Sequence, residues 1–323
     1  SPGRSPRPTA ATPQIFTAAD PEPHHIAAAS KLLAAFDERR HDWIVDIEIV
    51  DNIAEYLHKH HPTLAEVYFD LAQKASVKNL AWTGSAQRGG VLLVERAQLP
   101  EHASDLTRAA VVVIENIPGD KCFLQTVIHT FRAHRIQQAL DSRWAEFRHS
   151  GGCGSMPAVA EEEAGHFHHT VRVVAVFDSD SLTPEHEGPN RPKAKALIDK
   201  GIPAHVLLLR EAENYAPNLV LANTGKKAEA ELRVEHLDRL IPRQRAHFDM
   251  KKGFTKPVKP EQKGFFDGLD ADTRRVLHPG FGGKVLEQMF EMRHDLCAAD
   301  FEAMDPDAAE DLRKLLALIE SLI

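Results

Sequence analysis

The sequence predicts an open α/β fold, a mainly parallel sheet flanked by helices, set between a helical N-terminal region and a mainly helical C-terminal region. Three observations lead there. The runs "RAAVVVIEN", "VRVVAVF" and "PAHVLLLR" are almost unbroken in apolar residues, as suits strands covered on both faces. Segments with helical spacing separate them, which calls for right-handed crossovers between parallel strands. The chain has 323 residues and is 43% hydrophobic, enough for a substantial core.

Residues 1–22, rich in Pro, Ser, Ala and Thr without periodicity, are expected to form a disordered tail. Residues 23–108 read as a helical region with short strands. The stretches "HHIAAASKLLAAFDERR" and "IVDIEIVDNIAEYLHKHHPTLAEVYFDLAQKA" give two or three helices divided at Pro62, and "KNLAWTG" and "GGVLLVERA" read as strands. Residues 109–222 form the sheet domain. Strand "RAAVVVIEN" is followed by "DKCFLQTVIHTFRAHRIQQALDSRWAEFRHS", read as one long helix ended by Gly151 and Gly152. A glycine-rich turn and short helix, "GGCGSMPAVAEEEAG", lead into the strand "VRVVAVFDSD". The helix "PKAKALIDKG" and the strand "PAHVLLLR" complete the unit. Residues 223–323 are mainly helical, with a Lys/Pro/Gly-rich interruption at 250–263. In the last helix, "DPDAAEDLRKLLALIESLI", Asp305 is expected as N-cap with Pro306 at the first helical position.

Composition narrows the function classes. No apolar run approaches the roughly 18 to 20 residues needed to span a bilayer, and no apolar segment follows the first arginines as in a secretory signal, so a cytoplasmic protein without membrane contact is expected. Three cysteines without CxxC spacing argue against a disulfide framework or a structural zinc site. The net charge of −8 excludes bulk attraction of nucleic acid, so contact with a polyanion must be local. The 19 histidines include adjacent pairs such as His24 and His25; neighbours in sequence point in different directions, and chelation by them is not expected.

Ligands of open parallel sheets sit beyond the carboxyl ends of the strands. There, three apolar runs end in acids: Glu115 after the first, Asp178 and Asp180 after the second, Glu211 and Glu213 after the third. If extended geometry continues through Asp178 and Asp180, the two carboxylates share one side and repel unless a cation lies between them. Oxygen-only ligands select Mg²⁺ or Mn²⁺. Such a site handles phosphate oxygens and the attacking water of phosphodiester hydrolysis.

Glu115 in "VVVIENIPGDKCFL" followed by the DxD of "VVAVFDSDS" resembles the TOPRIM domain of topoisomerases, bacterial primases and nucleases of the overcoming-lysogenization-defect type, over roughly residues 109–222. "REAENY" and "HFDMKKGF" resemble further elements of the nuclease branch. The chain departs from the first motif with Asn116 in place of glycine and a five-residue step to Asp120, so a metal role for Asp120 stands beside a capping role at the next helix start. The resemblance implies a Mg²⁺- or Mn²⁺-dependent nuclease with Glu115, Asp178 and Asp180 as catalytic metal ligands, Asp120 and Glu213 as further acids, and Lys251 or Lys252 near the scissile phosphate. Gly151 and Gly152 would either end a helix or offer backbone N–H groups to substrate phosphate. Free-standing nucleases of this kind resemble effectors of bacterial antiphage defence systems, which implies DNA or RNA as substrate, a homo-oligomer as an option, and a separate ATPase or sensor as partner, because no GxxxxGK[ST] loop occurs here.

Two alternatives stand against this reading. A haloacid-dehalogenase-type phosphatase also places DxD at a strand end, but its threonine is expected one step earlier than Thr183 and it gives Glu115 no role. A non-catalytic TOPRIM-like assembly module would use the Leu312, Leu315, Leu316, Ile319 and Leu322 stripe as an interface. A topoisomerase or primase is not expected, since neither a strand-gating tyrosine module nor a zinc module is recognisable.

Overall fold

The computed structural model describes residues 9–11, 15–16, 21–82, 91–257 and 259–323. Its N-terminal region runs β1 (Thr9–Ala11), α1 (Pro23–Asp37), β2 (Asp42–Ile44), α2 (Val50–His60), α3 (Ala65–Trp82), β3 (Val91–Leu93) and α4 (Leu99–Thr107). The sheet domain follows as β4 (Ala110–Ile114), α5 (Gly119–Thr130), α6 (His134–Asp141), β5 (Ala145–His149), α7 (Met156–Ala164), β6 (Val173–Phe177), α8 (Arg191–Asp199) and β7 (Ala204–Val206). Then come α9 (Asn218–Leu221), α10 (Lys227–Leu237), α11 (Pro242–Ala246), α12 (Ala271–Leu277), α13 (Val285–Glu291), α14 (Ala298–Met304) and α15 (Pro306–Glu320).

The central sheet has four strands in the order β5-β4-β6-β7, every neighbouring pair parallel. Period-two alternation splits its side chains between two layers. Val111, Val113, Val173, Ala175 and Phe177 pack with α7 and α8. Ala110, Val112, Ile114, Val174 and Val176 pack with α5, α6 and the C-terminal helices, including Leu312, Leu315, Leu316 and Ile319 of α15. The apolar stripe of the last helix is therefore core, and that helix starts as expected, with Asp305 accepting the N–H groups of Asp307 and Ala308 and Pro306 following. A separate hydrophobic cluster, from Ile15 to Leu106, supports the N-terminal region.

Several expectations are corrected. Thr9–Ala11 is a strand, not tail, because it pairs in parallel with both β2 and β3, and Ile15 and Phe16 are buried. The rest of residues 1–20 lies outside the described residues. The segment "KNLAW" continues α3 to Trp82, since extending an existing helix fixes one residue per hydrogen bond and overrides the β preference of an aromatic; Thr83 and Gly84 lie outside the described residues. Residues 120–150 are not one helix. Arg132 and Arg143 adopt φ of 55° and 59°, which breaks the segment into α5, α6 and the edge strand β5. Among the described residues β5 has a neighbour on one side only, and it leaves Glu146, Arg148 and His149 exposed, so it has none of the apolar continuity of a central strand.

Candidate active site

All four strands of the central sheet run the same way, so the loops after β4, β5, β6 and β7 emerge at one edge. The β4–β6 register pairs Val111 with Val173 and Val113 with Ala175. Continued by two residues it sets Glu115 opposite Phe177, so Glu115 and Asp178 leave the sheet on adjacent strands, about 4.8 Å apart in backbone spacing. Extended geometry does not continue through the DxD as the sequence reading supposed: β6 ends at Phe177 and Asp180 adopts a φ of 52°. The turn is held from several sides. Asn190 Nδ2 donates to the Asp178 carbonyl at 2.9 Å and to Asp180 Oδ2 at 3.0 Å. Asp180 N–H donates to the Arg210 carbonyl at 2.9 Å, and Asp178 Oδ1 accepts the Ala212 N–H at 2.9 Å. Gly188, at φ 79°, passes so close that a Cβ there would lie 2.1 Å from the Ser179 carbonyl oxygen.

The β4 loop contributes Glu115, half-buried, which accepts the backbone N–H of Cys153. The glycine turn of Gly151 and Gly152 therefore lies beside Glu115. Both glycines have positive φ, 74° and 140°, and a Cβ at either would meet open space. Asp120, in the first turn of α5, accepts the N–H of Asn116 through Oδ2 at 2.9 Å, so one of its oxygens closes the loop that displays Glu115. This is not the helix cap expected, for Pro118 is the N-cap residue and no side chain caps α5; the bond to Asn116 occupies part of the Asp120 carboxylate.

Beyond β7 a short 3₁₀ turn, Ala212–Tyr215, presents Glu213 inward. Asn214 fixes that turn, its Oδ1 accepting the Glu211 N–H and its Nδ2 donating to the carbonyls of Arg245 and Phe248, both at 3.0 Å. Lys251 Nζ lies 3.1 Å from Glu213 Oε1 and 3.3 Å from Glu211 Oε2. Its backbone is anchored too: the Lys251 and Met250 carbonyls accept N–H groups from Gly282 and Phe281. Lys252 is brought there only in part, for its N–H donates to Asp249 Oδ1 at 2.8 Å while its side chain is exposed. Arg210 bridges Glu211 at 3.4 Å and Asp249 at 3.3 Å.

The electrostatics of this edge are those of an under-neutralised acid cluster. Burial, then the charges of Asp120, Glu213 and Glu211, push the Asp178 carboxyl well above the ordinary carboxylate range, against the opposing pull of Lys251. Glu115 is raised by burial and by Asp120 and Asp180, and Glu213 is raised by burial despite its contact with Lys251. Burial disfavours the Lys251 ammonium, but Glu213 and Glu211 outweigh it and hold its pKa above the ordinary value. Glu213 Oε2 is buried with no hydrogen-bond partner, and buried Glu211 Oε2 has the Lys251 ion pair but no hydrogen bond.

An all-oxygen donor set with one orphaned buried carboxylate oxygen, Glu213 Oε2, and mutual repulsion fits a hard divalent cation. The side chains as they stand do not form a closed ligand set at this edge. Among the described residues, the group whose ligand atoms all come within 4.8 Å of one another is Glu22, His24 and His25. At the start of α1 the His24 and His25 rings approach to 4.2 Å instead of diverging as neighbours were expected to. The imidazoles and the exposure of this group do not suit Mg²⁺.

Sequence reasoning missed Asn190, Lys193 and Arg210. Lys193 Nζ donates to Asn190 Oδ1 at 2.8 Å and to the Cys153 carbonyl at 3.3 Å, tying the α8 start to the glycine turn. The only cue was position, Asn190 directly preceding a helix and Arg210 directly following an apolar run. No protein-family model, curated protein or solved structure matches the chain.

Proposed function

We propose that this protein is a Mg²⁺- or Mn²⁺-dependent nuclease of the TOPRIM type, hydrolysing phosphodiester bonds in DNA or RNA. One observation carries the reading: acids from three strand ends meet at one sheet edge, in an electrostatic environment that disfavours their ionisation unless positive charge is added. Glu115, Asp178 and Asp180, with Glu213 behind them, would hold the cation, which when bound supplies charge neutralisation at a phosphate oxygen and activation of the attacking water. Asp120 orders the Glu115 loop. Lys251 stands ready to exchange part of its ion pairing with Glu211 and Glu213 for the charge that accumulates on a reacting phosphoryl group. The glycine turn beside Glu115 gives a phosphate backbone room to approach, and hydrolysis proceeds without a covalent enzyme intermediate.

The acidic net charge supports regulation by assembly. A chain at −8 does not concentrate nucleic acid by itself, so a homo-oligomer or a separate ATPase or sensor protein would supply the basic channel, as in an antiphage defence system. The test is cleavage of plasmid, single-stranded DNA and total RNA with and without Mn²⁺, comparing wild type with Glu115→Ala and Asp178→Ala. Metal-dependent cleavage lost in both folded variants is the expected outcome; cleavage surviving in both removes the proposal.

A further inference from the structure

A second concentration of unusual charge lies at the opposite end of the sheet. The amino ends of its strands are marked by two hydrogen bonds of 2.8 Å, from Ala110 N–H to the Trp144 carbonyl and from Val111 N–H to the Arg172 carbonyl. A cavity of about 540 Å³ opens there, lined by Arg39, Arg40, Arg132, His134, Arg135 and Trp144. It is separated from the acidic edge by the length of a five-residue strand, about 16 Å.

Two of the cations are held in place. Arg40 Nη2 donates to the Thr107 carbonyl at 2.8 Å, its guanidinium lies 5.6 Å from the centre of the Trp144 ring, and Arg135 Nη2 donates to the Arg40 carbonyl at 3.0 Å. Arg39 and Arg132 both sit in the left-handed region, at φ 60° and 55°. Behind the wall Arg172, 1% exposed, donates through Nε to the Leu322 carbonyl and through Nη1 to those of Leu106 and Arg108, while its Nη2 has no partner. Burial, Arg40 and Arg135 bring the Arg172 pKa down to about 9, and His41 beside them, buried and facing Arg172, is brought down to about 3. Asp105, a buried acid close enough to act on Arg172, is committed to the N–H groups of His168, His169 and Thr170. Among the described residues lining the cavity, Glu320 is the one carboxylate.

We propose that this pocket is a ligand site for a small polyphosphate anion of nucleotide size. Guanidinium groups match phosphate oxygens in paired hydrogen bonds, and Arg39, Arg40 and Arg132 bring three of them to one cavity. The volume suits a small molecule and not a duplex. An anion bound there would contact the N-terminal region through Arg39 and Arg40 and the sheet domain through Arg132 and Arg135, so it would fasten the two together.

Calorimetry and thermal unfolding of the full chain, in EDTA, with ATP and with inorganic tripolyphosphate, test it. Both anions are expected to bind and to raise the unfolding temperature beyond the effect of sulfate at equal ionic strength. The Arg39→Asn/Arg132→Asn double variant keeps side chains that tolerate positive φ and is expected to bind roughly tenfold more weakly. Glu320→Lys is expected to tighten binding, and Asp178→Asn, at the other edge, to leave it unchanged. Absence of binding, equal affinity in the double variant, an equal effect of sulfate, or binding of a single-stranded oligonucleotide where ATP fails would each overturn the proposal.

Discussion

Lys251 Nζ stands between two buried carboxylates, 3.1 Å from Glu213 Oε1 and 3.3 Å from Glu211 Oε2. Glu213 Oε2 is nevertheless buried with no hydrogen-bond partner, and Glu211 Oε2 has only the ammonium contact in place of a hydrogen bond. One ammonium cannot satisfy them, and this shortfall makes the edge receptive to further positive charge.

Replacing Lys251 by Met leaves Glu211 and Glu213 without that partner. Truncating one side of a fully buried pair costs several kcal/mol, but the Lys251 side chain is 35% exposed and solvent screens the contact. A loss of roughly 1–2 kcal/mol is expected in chemical denaturation, together with a fall of about 100-fold in metal-dependent cleavage. The Lys251→Arg variant should recover most of the stability and less of the activity.

Asp178→Asn should stabilise the metal-free protein. Asparagine Oδ1 can still accept the Ala212 N–H, while the charge that burial and Asp120 disfavour is removed. The gain, on the order of 1 kcal/mol near neutral pH, is read from the thermal midpoint, and the same variant should lose cleavage. A destabilised Asp178→Asn would show that the carboxylate is held by favourable contacts.

The pH dependence has a definite sign. Glu115, Asp178 and Glu213 all have folded pKa values above their unfolded ones, so between the two the folded chain binds more protons. Their contribution to stability is greatest below the unfolded carboxyl value, about 4, and declines as pH rises through the raised values. A bound divalent cation must displace those protons. Thermal stabilisation by Mn²⁺ should therefore be larger at pH 8 than at pH 5, and equal shifts at both would count against these acids as its ligands.

Gly253, at φ 55°, packs against the turn that closes α12, and a Cβ there would fall 2.0 Å from the Leu277 carbonyl oxygen. Gly253→Ala is expected to cost about 2 kcal/mol or more and to move the Lys251 backbone two residues away. Gly282→Ala, with positive φ but open space, separates conformational strain from collision and should cost less.

The parts of the fold that were legible in the sequence are those whose burial is uniform. β4 and β6 are covered on both faces and read as apolar runs, and the acids at their ends could be placed at one edge from strand direction alone. β5 was hidden because an edge strand is half wet, and its boundaries are set by left-handed arginines that carry no compositional mark. Glu213 and Lys251 were each picked out by resemblance, but their ion pair was not foreseen, because it depends on how the segment after α11 folds back. The clamp of Asn190 on both Asp178 and Asp180 could not be read, because it depends on a loop doubling back at Gly188. The arginine pocket was equally silent, its members being spread from Arg39 to Arg135 on turns of two different regions.

Diffraction at the manganese edge from crystals soaked in Mn²⁺ tests the central claim most directly. An anomalous peak within coordination distance of both Glu115 and Asp178, absent in Asp178→Asn, is the predicted result. A peak confined to Glu22, His24 and His25, with none between the strand ends of β4 and β6, would contradict it.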